Sequence, residues 1–397
     1  MNKYKVVILM LIMLGSLRAQ MTWTQATASA NWSARYQHTT LVYDNKMWVM
    51  AGKDTTSNKR NDVWYSTNGI NWTQATANAQ WSARSYPGCV VYNNKMWVLG
   101  GFDGSPKNDV WYSTDGVTWT QATASANWSA RYEHTALVYD NKMWVMGGAG
   151  PINDVWYSTD GVSWTQATGS AGWVGRYGQT GVVYDNKMWI MGGRDAGNNI
   201  HNDVWYSTNG INWTQATASA AWTARYYHVS AVLGNKMWVM GGTPVGSMPT
   251  NDVWYSTNGT NWTQVASASW SSRYDFSAVV YDNKVWIMGG NHYVFSLLND
   301  VWYSTGINGI EENQPLASTD RTTLEVFPNP AKTYFTICLP QTADCSEISI
   351  IDVAGKTVKS EEIKGKDNLI SLKGIKNGIY YIKVGKEMIK EKLVITK

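Results

Sequence analysis

The stretch "EHTALVYDNKMWVMGGAGPINDVWYSTDGVSWTQ", Glu133 to Gln166, decides the fold. "EHTALVY" alternates as a half-buried strand does, Asp140-Asn141 is a tight turn, "KMWVMGG" is a second strand ending on Gly147-Gly148, and "DVWYS" is a third. "TDG" then turns the chain into "WTQ", a fourth strand. Asp, Asn and Gly tolerate the positive φ that tight hairpin turns demand, so these turns have a mechanism and are not merely polar gaps.

The plan recurs. "NDVWYST" begins at Asn61, Asn108, Asn153, Asn202, Asn251 and Asn299, a period of 45 to 49 residues. All 24 tryptophans fall in this region, four per repeat. Each indole buries roughly 150–250 Å², which suits packing between neighbouring sheets. One set, Trp32, Trp81, Trp128, Trp173, Trp222 and Trp270, falls in a loop and is less certainly core. Four strands per unit at this period predict a β-propeller. The first "WTQAT" starts at Trp23, before any complete repeat, and the last "DVWYST" ends at Thr305 with no "WTQ" after it. The N-terminal strand is therefore expected to complete the last blade and hide the sheet edges. The expected fold is all-β: a six-bladed propeller over 20–305, closed by its N-terminal strand.

"RY" opening a strand, "VYDNKMWVMGG", then "NDVWY" and a following Trp resemble the kelch repeat, over residues 22–305. The first unit departs from it with Ala51-Gly52 in place of Gly-Gly, which puts one local backbone geometry in doubt.

The first 19 residues carry Lys3 and Lys5 ahead of a short apolar run and a small-residue site at Ala19, the pattern of a secretory signal. No other segment is apolar enough to span a bilayer. The formal charge of +4 overstates the basic character, because residues 20–305 hold 17 basic and 17 acidic side chains. A neutral body without a basic run argues against nucleic acid and anionic membranes as partners. Cys338 and Cys345 are spaced to close a bridge in an oxidising compartment, and Cys89 reads as a small buried hydrophobe on a strand.

After Thr305 the tryptophans stop and 306–321 reads as a linker. From 322 to 397, strands joined by Gly and Asn turns predict a small β-sandwich. "VFPNPAKTYFTI", "ISIIDVAGKTV", "LKGIKNGIYYIKV" and "KEKLVITK" resemble the C-terminal sorting domain of the type IX secretion system of Bacteroidota. That resemblance implies the secretion machinery as a partner and a secreted or surface-attached location.

The repeats differ mainly between Gly-Gly and Asn-Asp, where "KDTTSNKR", "FDGSPK", "AGPI", "RDAGNNIH", "TPVGSMPT" and "NHYVFSLL" form variable loops on one face. Recognition is expected there, with Arg194 and His292 as candidates. On the same face Arg35, Arg84, Arg131, Arg176, Arg225 and Arg273 recur at the start of each inner strand. They form either a ring able to clamp a carboxylate or sulfate, or six copies of a structural arginine.

Two and three residues further on the symmetry breaks: Gln37-His38, Tyr86-Pro87, Glu133-His134, Gly178-Gln179, Tyr227-His228 and Asp275-Phe276. Glu133 is the single glutamate of the propeller and Asp275 lies three blades away. A carboxyl pair suits acid–base work on a sugar, yet across a channel the two are expected to stand too far apart. His38, His134 and His228 occupy alternate blades and are expected to be hydrogen-bonded in place, too widely spaced for a metal at ~2.1 Å. No cofactor is called for.

"STDGVTW", Ser113 to Trp119, is similar to the Asp-box turn of sialidases but has one residue fewer between Asp115 and Trp119. Ser-Thr-Asn-Gly replaces it at Ser66, Ser207 and Ser256, so it reads as a hairpin on the face opposite the variable loops. The favoured function is a secreted binding or adhesion module recognising a carbohydrate or protein surface. The alternative is an extracellular carbohydrate-active enzyme, since kelch propellers include a sialic-acid mutarotase and galactose oxidase.

Overall fold

Blade 1 consists of Thr39–Tyr43, Lys46–Met50, Val63–Ser66 and Thr73–Thr76, each antiparallel to the next. Four further four-stranded sheets and one five-stranded sheet, which Arg176–Tyr177 also joins, repeat this order in the computed structural model. It describes residues 21–305 apart from 151, 247 and 293–295, and six stretches of the tail: 325–327, 334–338, 347–353, 355–363, 367–384 and 389–395. Blade 6 takes Ser277–Tyr281, Lys284–Asn291 and Leu297–Thr305 from the end of the ring and Thr22–Thr27 from its start. Thr22 lies opposite Thr305, their hydroxyls 2.6 Å apart. The closure expected from strand counting is the one observed: Thr22–Thr27 pairs along Leu297–Thr305 and completes the blade 6 sheet.

The second strand of each blade is buried on both faces, as Met47, Trp48, Val49 and Met50 show in blade 1. Cores form between blades: Leu41, Trp48 and Met50 of blade 1 pack with Met96 and Val98 of blade 2, and with Trp81 and Trp119. The uncertain loop tryptophans are core after all. All six are at most 1% exposed, and each sets its edge on an outer-strand indole, Trp81 on Trp119 at 5.9 Å, for example. Cys89 packs against the same core, its thiol pushed up to about 12 by burial.

The turns explain themselves locally. Asp44 and Asn45 sit at φ 49° and 52°, and Asp140 and Asn141 at 47° and 53°, the left-handed pair that a two-residue hairpin needs. In "STDGVTW", Asp115 Oδ1 accepts from the amides of Val117 and Thr118, and Trp119 Nε1 donates to the Gly116 carbonyl. Gly116 is at φ +74°, and a Cβ there would run into the indole of Trp48 in blade 1. This turn is a joint between blades. Ala51, which replaces a glycine, keeps the geometry of its counterparts: φ is 62°, against 65° at Gly147 and 60° at Gly192.

The second compact unit, Glu311–Lys397, holds a three-stranded sheet (Glu325–Phe327, Tyr334–Cys338, Asp367–Ser371) and a four-stranded one (Thr357–Glu362, Glu347–Asp352, Gly378–Val384, Ile389–Ile395). Phe335, Ile348, Ile350, Ile382 and Leu393 are among the side chains of its core. The expected signal segment 1–19, the expected linker 306–321 and Cys345 lie outside the described residues. Among the described residues no helix is long and apolar enough to cross a membrane.

Candidate functional site

The six arginines do not face a ligand, which corrects the clamp reading. Each is 0% exposed and holds an aspartate of its own blade: Arg35–Asp62, Arg84–Asp109, Arg131–Asp154, Arg176–Asp203, Arg225–Asp252 and Arg273–Asp300, at 2.5–2.7 Å. In Arg35, Nε donates to Ser33 O, Nη1 to Ala51 O and Asp62 Oδ1, and Nη2 to Ser33 Oγ and Asp62 Oδ2. A guanidinium has five N–H donors, and here all five are used. The aspartate comes from "NDVWY", whose Asn is equally structural: Asn108 Nδ2 donates to the carbonyls of Ala126 and Trp128 in the crossing loop.

The histidines also pack within the ring. His38, His134 and His228 are buried and lie 5.9–6.1 Å from Trp32, Trp128 and Trp222. Burial, and then the nearby arginine of the same blade, lowers each to about 3. His38 Nε2 meets Ser277 Oγ at 2.7 Å, whereas the ring nitrogens of His134 and His228 make no hydrogen bond, contrary to expectation. Among the described residues no group of three or more potential ligands is placed to hold a metal ion.

The residues that break the symmetry do converge. Gln37, Tyr86, Glu133, Gly178, Tyr227 and Asp275, one from each blade, all have φ between 53° and 62°. Their main chains link around the axis. Gln37 N donates to Asp275 O, Tyr86 N to Gln37 O, Gly178 N to Glu133 O, Tyr227 N to Gly178 O and Asp275 N to Tyr227 O, at 2.8–3.3 Å. Five non-glycine residues in the left-handed region mark a backbone that the ring closure over-determines.

This turn of the chain sends their side chains inward. Tyr86 of blade 2 and Tyr227 of blade 5 stack across the axis at 5.7 Å. Tyr86 donates to Asp275 Oδ2 at 2.8 Å, and Tyr227 to Glu133 Oε1 at 3.0 Å. Glu133 and Asp275 are thus not two walls of an open channel; the Tyr86 hydroxyl acts on both carboxyls. Gly178 leaves the space into which Tyr227 leans, since a Cβ there would lie 3.0 Å from its ring.

Burial raises Glu133 to about 7 and Asp275 well above the usual carboxylate range, against the lowering effect of the tyrosine hydroxyls. Burial, with the two carboxyls adding to it, likewise keeps both tyrosines protonated. Lys53, from the variable loop of blade 1, is the cation that acts on both carboxyls.

Above this floor stands a tier of aromatic rings. The second residue of each "RY" pair lies beside the first residue after Gly-Gly, Tyr36 opposite Lys53 and Tyr177 opposite Arg194, so the tier adjoins the variable loops. Phe102 contacts Tyr132 at 5.0 Å, Tyr132 contacts Tyr86 at 6.2 Å, and Tyr227 contacts Tyr226 at 4.5 Å, Tyr274 at 6.4 Å and Tyr177 at 6.5 Å. Arg194 lies 5.5 Å over the Tyr226 ring. His292 Nδ1 instead turns toward Ser272 O at 2.6 Å. Lys53 and Phe102 had no signal in the sequence beyond their loop positions, because what matters is which ring each side chain meets across the axis.

A family model described as the KLHDC2/KLHL20/DRC7 Kelch-repeats domain matches residues 9–148 and 149–306. A model of the secretion system C-terminal sorting domain matches residues 325–396. No curated protein matches the chain in sequence. The solved structure of YjhT aligns with a TM-score of 0.59 at 14% identity, over 70% of this chain and 96% of that one, which is a likeness of fold. The chain belongs to the kelch-repeat family, and its type IX sorting domain marks it for export to the cell surface or extracellular space.

Proposed function

We propose that the propeller is an exported glycan-binding module whose ligand enters the aromatic cup on the variable-loop face. The observation that carries this reading is the connected set of tyrosines with Phe102 beside the linked axial turns. Aromatic faces stack on the apolar faces of sugar rings, and tyrosine adds a hydroxyl at its edge for the sugar's own. Six rigid blades hold these rings in place, so little ordering cost falls on binding.

A glycan array with the full chain tests the reading. Signals on a restricted set of saccharides, lost in Tyr226→Ala and Tyr132→Ala while the melting temperature holds, support it. No saccharide bound, or binding indifferent to both substitutions, sinks it. One observation favours the enzymatic alternative: a carboxyl near pH 7, Glu133, is poised for proton transfer. Turnover of a bound saccharide that vanishes in Glu133→Gln would establish it.

A further inference from the structure

Glu133 and Asp275 stand apart from every other acid in the propeller. Asp62, Asp109, Asp154, Asp203, Asp252 and Asp300 each hold a buried arginine. In the loops Asp54 holds Arg60, Asp103 holds Lys107 and Asp195 holds His201. Asp115 and Asp160 serve exposed turns, and the hairpin aspartates hold lysines. Among the described residues, half-buried Glu133 and buried Asp275, the latter 7% exposed, are the axial carboxyls without a cation in contact.

Two further observations point to what is missing. Gln37 Nε2 lies 3.4 Å from Asp275 Oδ2, yet its carbonyl, Gln37 Oε1, is buried and accepts no hydrogen bond. An acceptor left bare beside a carboxyl calls for a donor. The carboxyls also adjoin the stacked rings of Tyr86 and Tyr227, which reach them through their hydroxyls, and Tyr226 and Tyr274 contact Tyr227 in turn. Aromatic rings around uncompensated carboxyls are the surroundings that favour an organic cation.

We propose that the cup takes the ammonium group of an amino sugar, held between Glu133 and Asp275 and against the Tyr86–Tyr227 stack. This rests on the glycan reading above. The ammonium donates to the two carboxyls and to Gln37 Oε1, and the sugar ring lies on the tyrosine tier. Lys53, on the wall of the cup, acts on the same carboxyls from a distance and competes with the ligand for them. Burial favours the protonated form of both carboxyls and a seated cation favours the ionised one, so binding shifts them toward proton release.

Calorimetric titration of the full chain at pH 7 with a glucosamine trimer, an N-acetylglucosamine trimer and trilysine tests this. The glucosamine trimer is expected to bind about tenfold or more tightly than its acetylated counterpart, the range of a cation seated on aromatic faces and charged acceptors. The preference should vanish in Asp275→Asn and Glu133→Gln, and the heat should vary with buffer ionisation enthalpy as protons are released. If both trimers bind equally and Tyr226→Ala abolishes both, the glycan reading stands and the ammonium site falls. If neither trimer binds, both fall. Trilysine binding as tightly as the glucosamine trimer would overturn the sugar assignment. Should the floor variants fail to fold, the preference of the unaltered chain for the glucosamine trimer over its acetylated counterpart decides, and its absence overturns the proposal.

Discussion

Replacing Asp62 with alanine tests whether the arginine ring is architecture or a ligand clamp. Arg35 is 0% exposed, and two of its five donors end on Asp62 at 2.7 Å. Removal strands both donors and leaves a guanidinium charge buried among Trp32, Ser33 and the Ala51 carbonyl. Breaking a buried pair from one side costs about 3–5 kcal/mol. At roughly 2–4 °C per kcal/mol for a ring of this size, the melting temperature should drop by about 6–20 °C. The double variant Arg35→Met/Asp62→Leu removes both charges but leaves Trp64 Nε1 and Ala51 O without their partners, so it should recover part of that loss. Differential scanning calorimetry of the three chains checks the order. If Asp62→Ala melts within about 2 °C of the parent, less than about 1 kcal/mol is lost, and the buried-pair account of Arg35 is wrong.

Acid should destabilise the propeller through its histidines. His38, His134 and His228, lowered to about 3 in the fold, titrate near 6.5 when unfolded, so only the unfolded chain takes up their protons between those values. Stability from this source is complete above about pH 6.5 and is lost as pH falls toward 3, while Glu133, raised to about 7, acts in the opposite sense between about 4.5 and 7. Melting temperatures measured from pH 7 to 4 should fall, and the joint substitution His134→Gln/His228→Gln, mimicking Gln179 of blade 4, should flatten the slope; an unchanged slope would remove the histidines from the account. Ala51→Gly should raise the melting temperature by a few degrees, since a left-handed alanine costs roughly 1–2 kcal/mol that glycine does not. Gly116→Ala, which forces a Cβ into the Trp48 indole, should destabilise strongly, whereas Asp115→Asn, the residue of three other blades, should change stability by less than about 0.5 kcal/mol in denaturant titration.

The sequence by itself determined whatever repeats or is local. Strand alternation, Asp-Asn turns and the displaced "WTQ" strand are written within each period of 45 to 49 residues, so the number of blades, the closure and the hairpin role of "STDGVTW" were legible without coordinates. So was the departure at Ala51, although the sequence left open whether alanine would hold the left-handed turn. Arg131 and Asp154 were both visible as recurring residues, but their pairing depends on bringing the starts of the first and third strands together, which the sheet register does. The axial cluster of tyrosines and carboxyls was decided by the tertiary structure alone. Tyr86 meets Asp275 over 189 residues and Tyr227 meets Glu133 over 94, contacts between blades that are not neighbours in the ring. Local periodicity places a residue at the axis of its own blade. Which side chain it meets there follows from six blades closing around one centre, where large side chains from opposite walls have to share the same space.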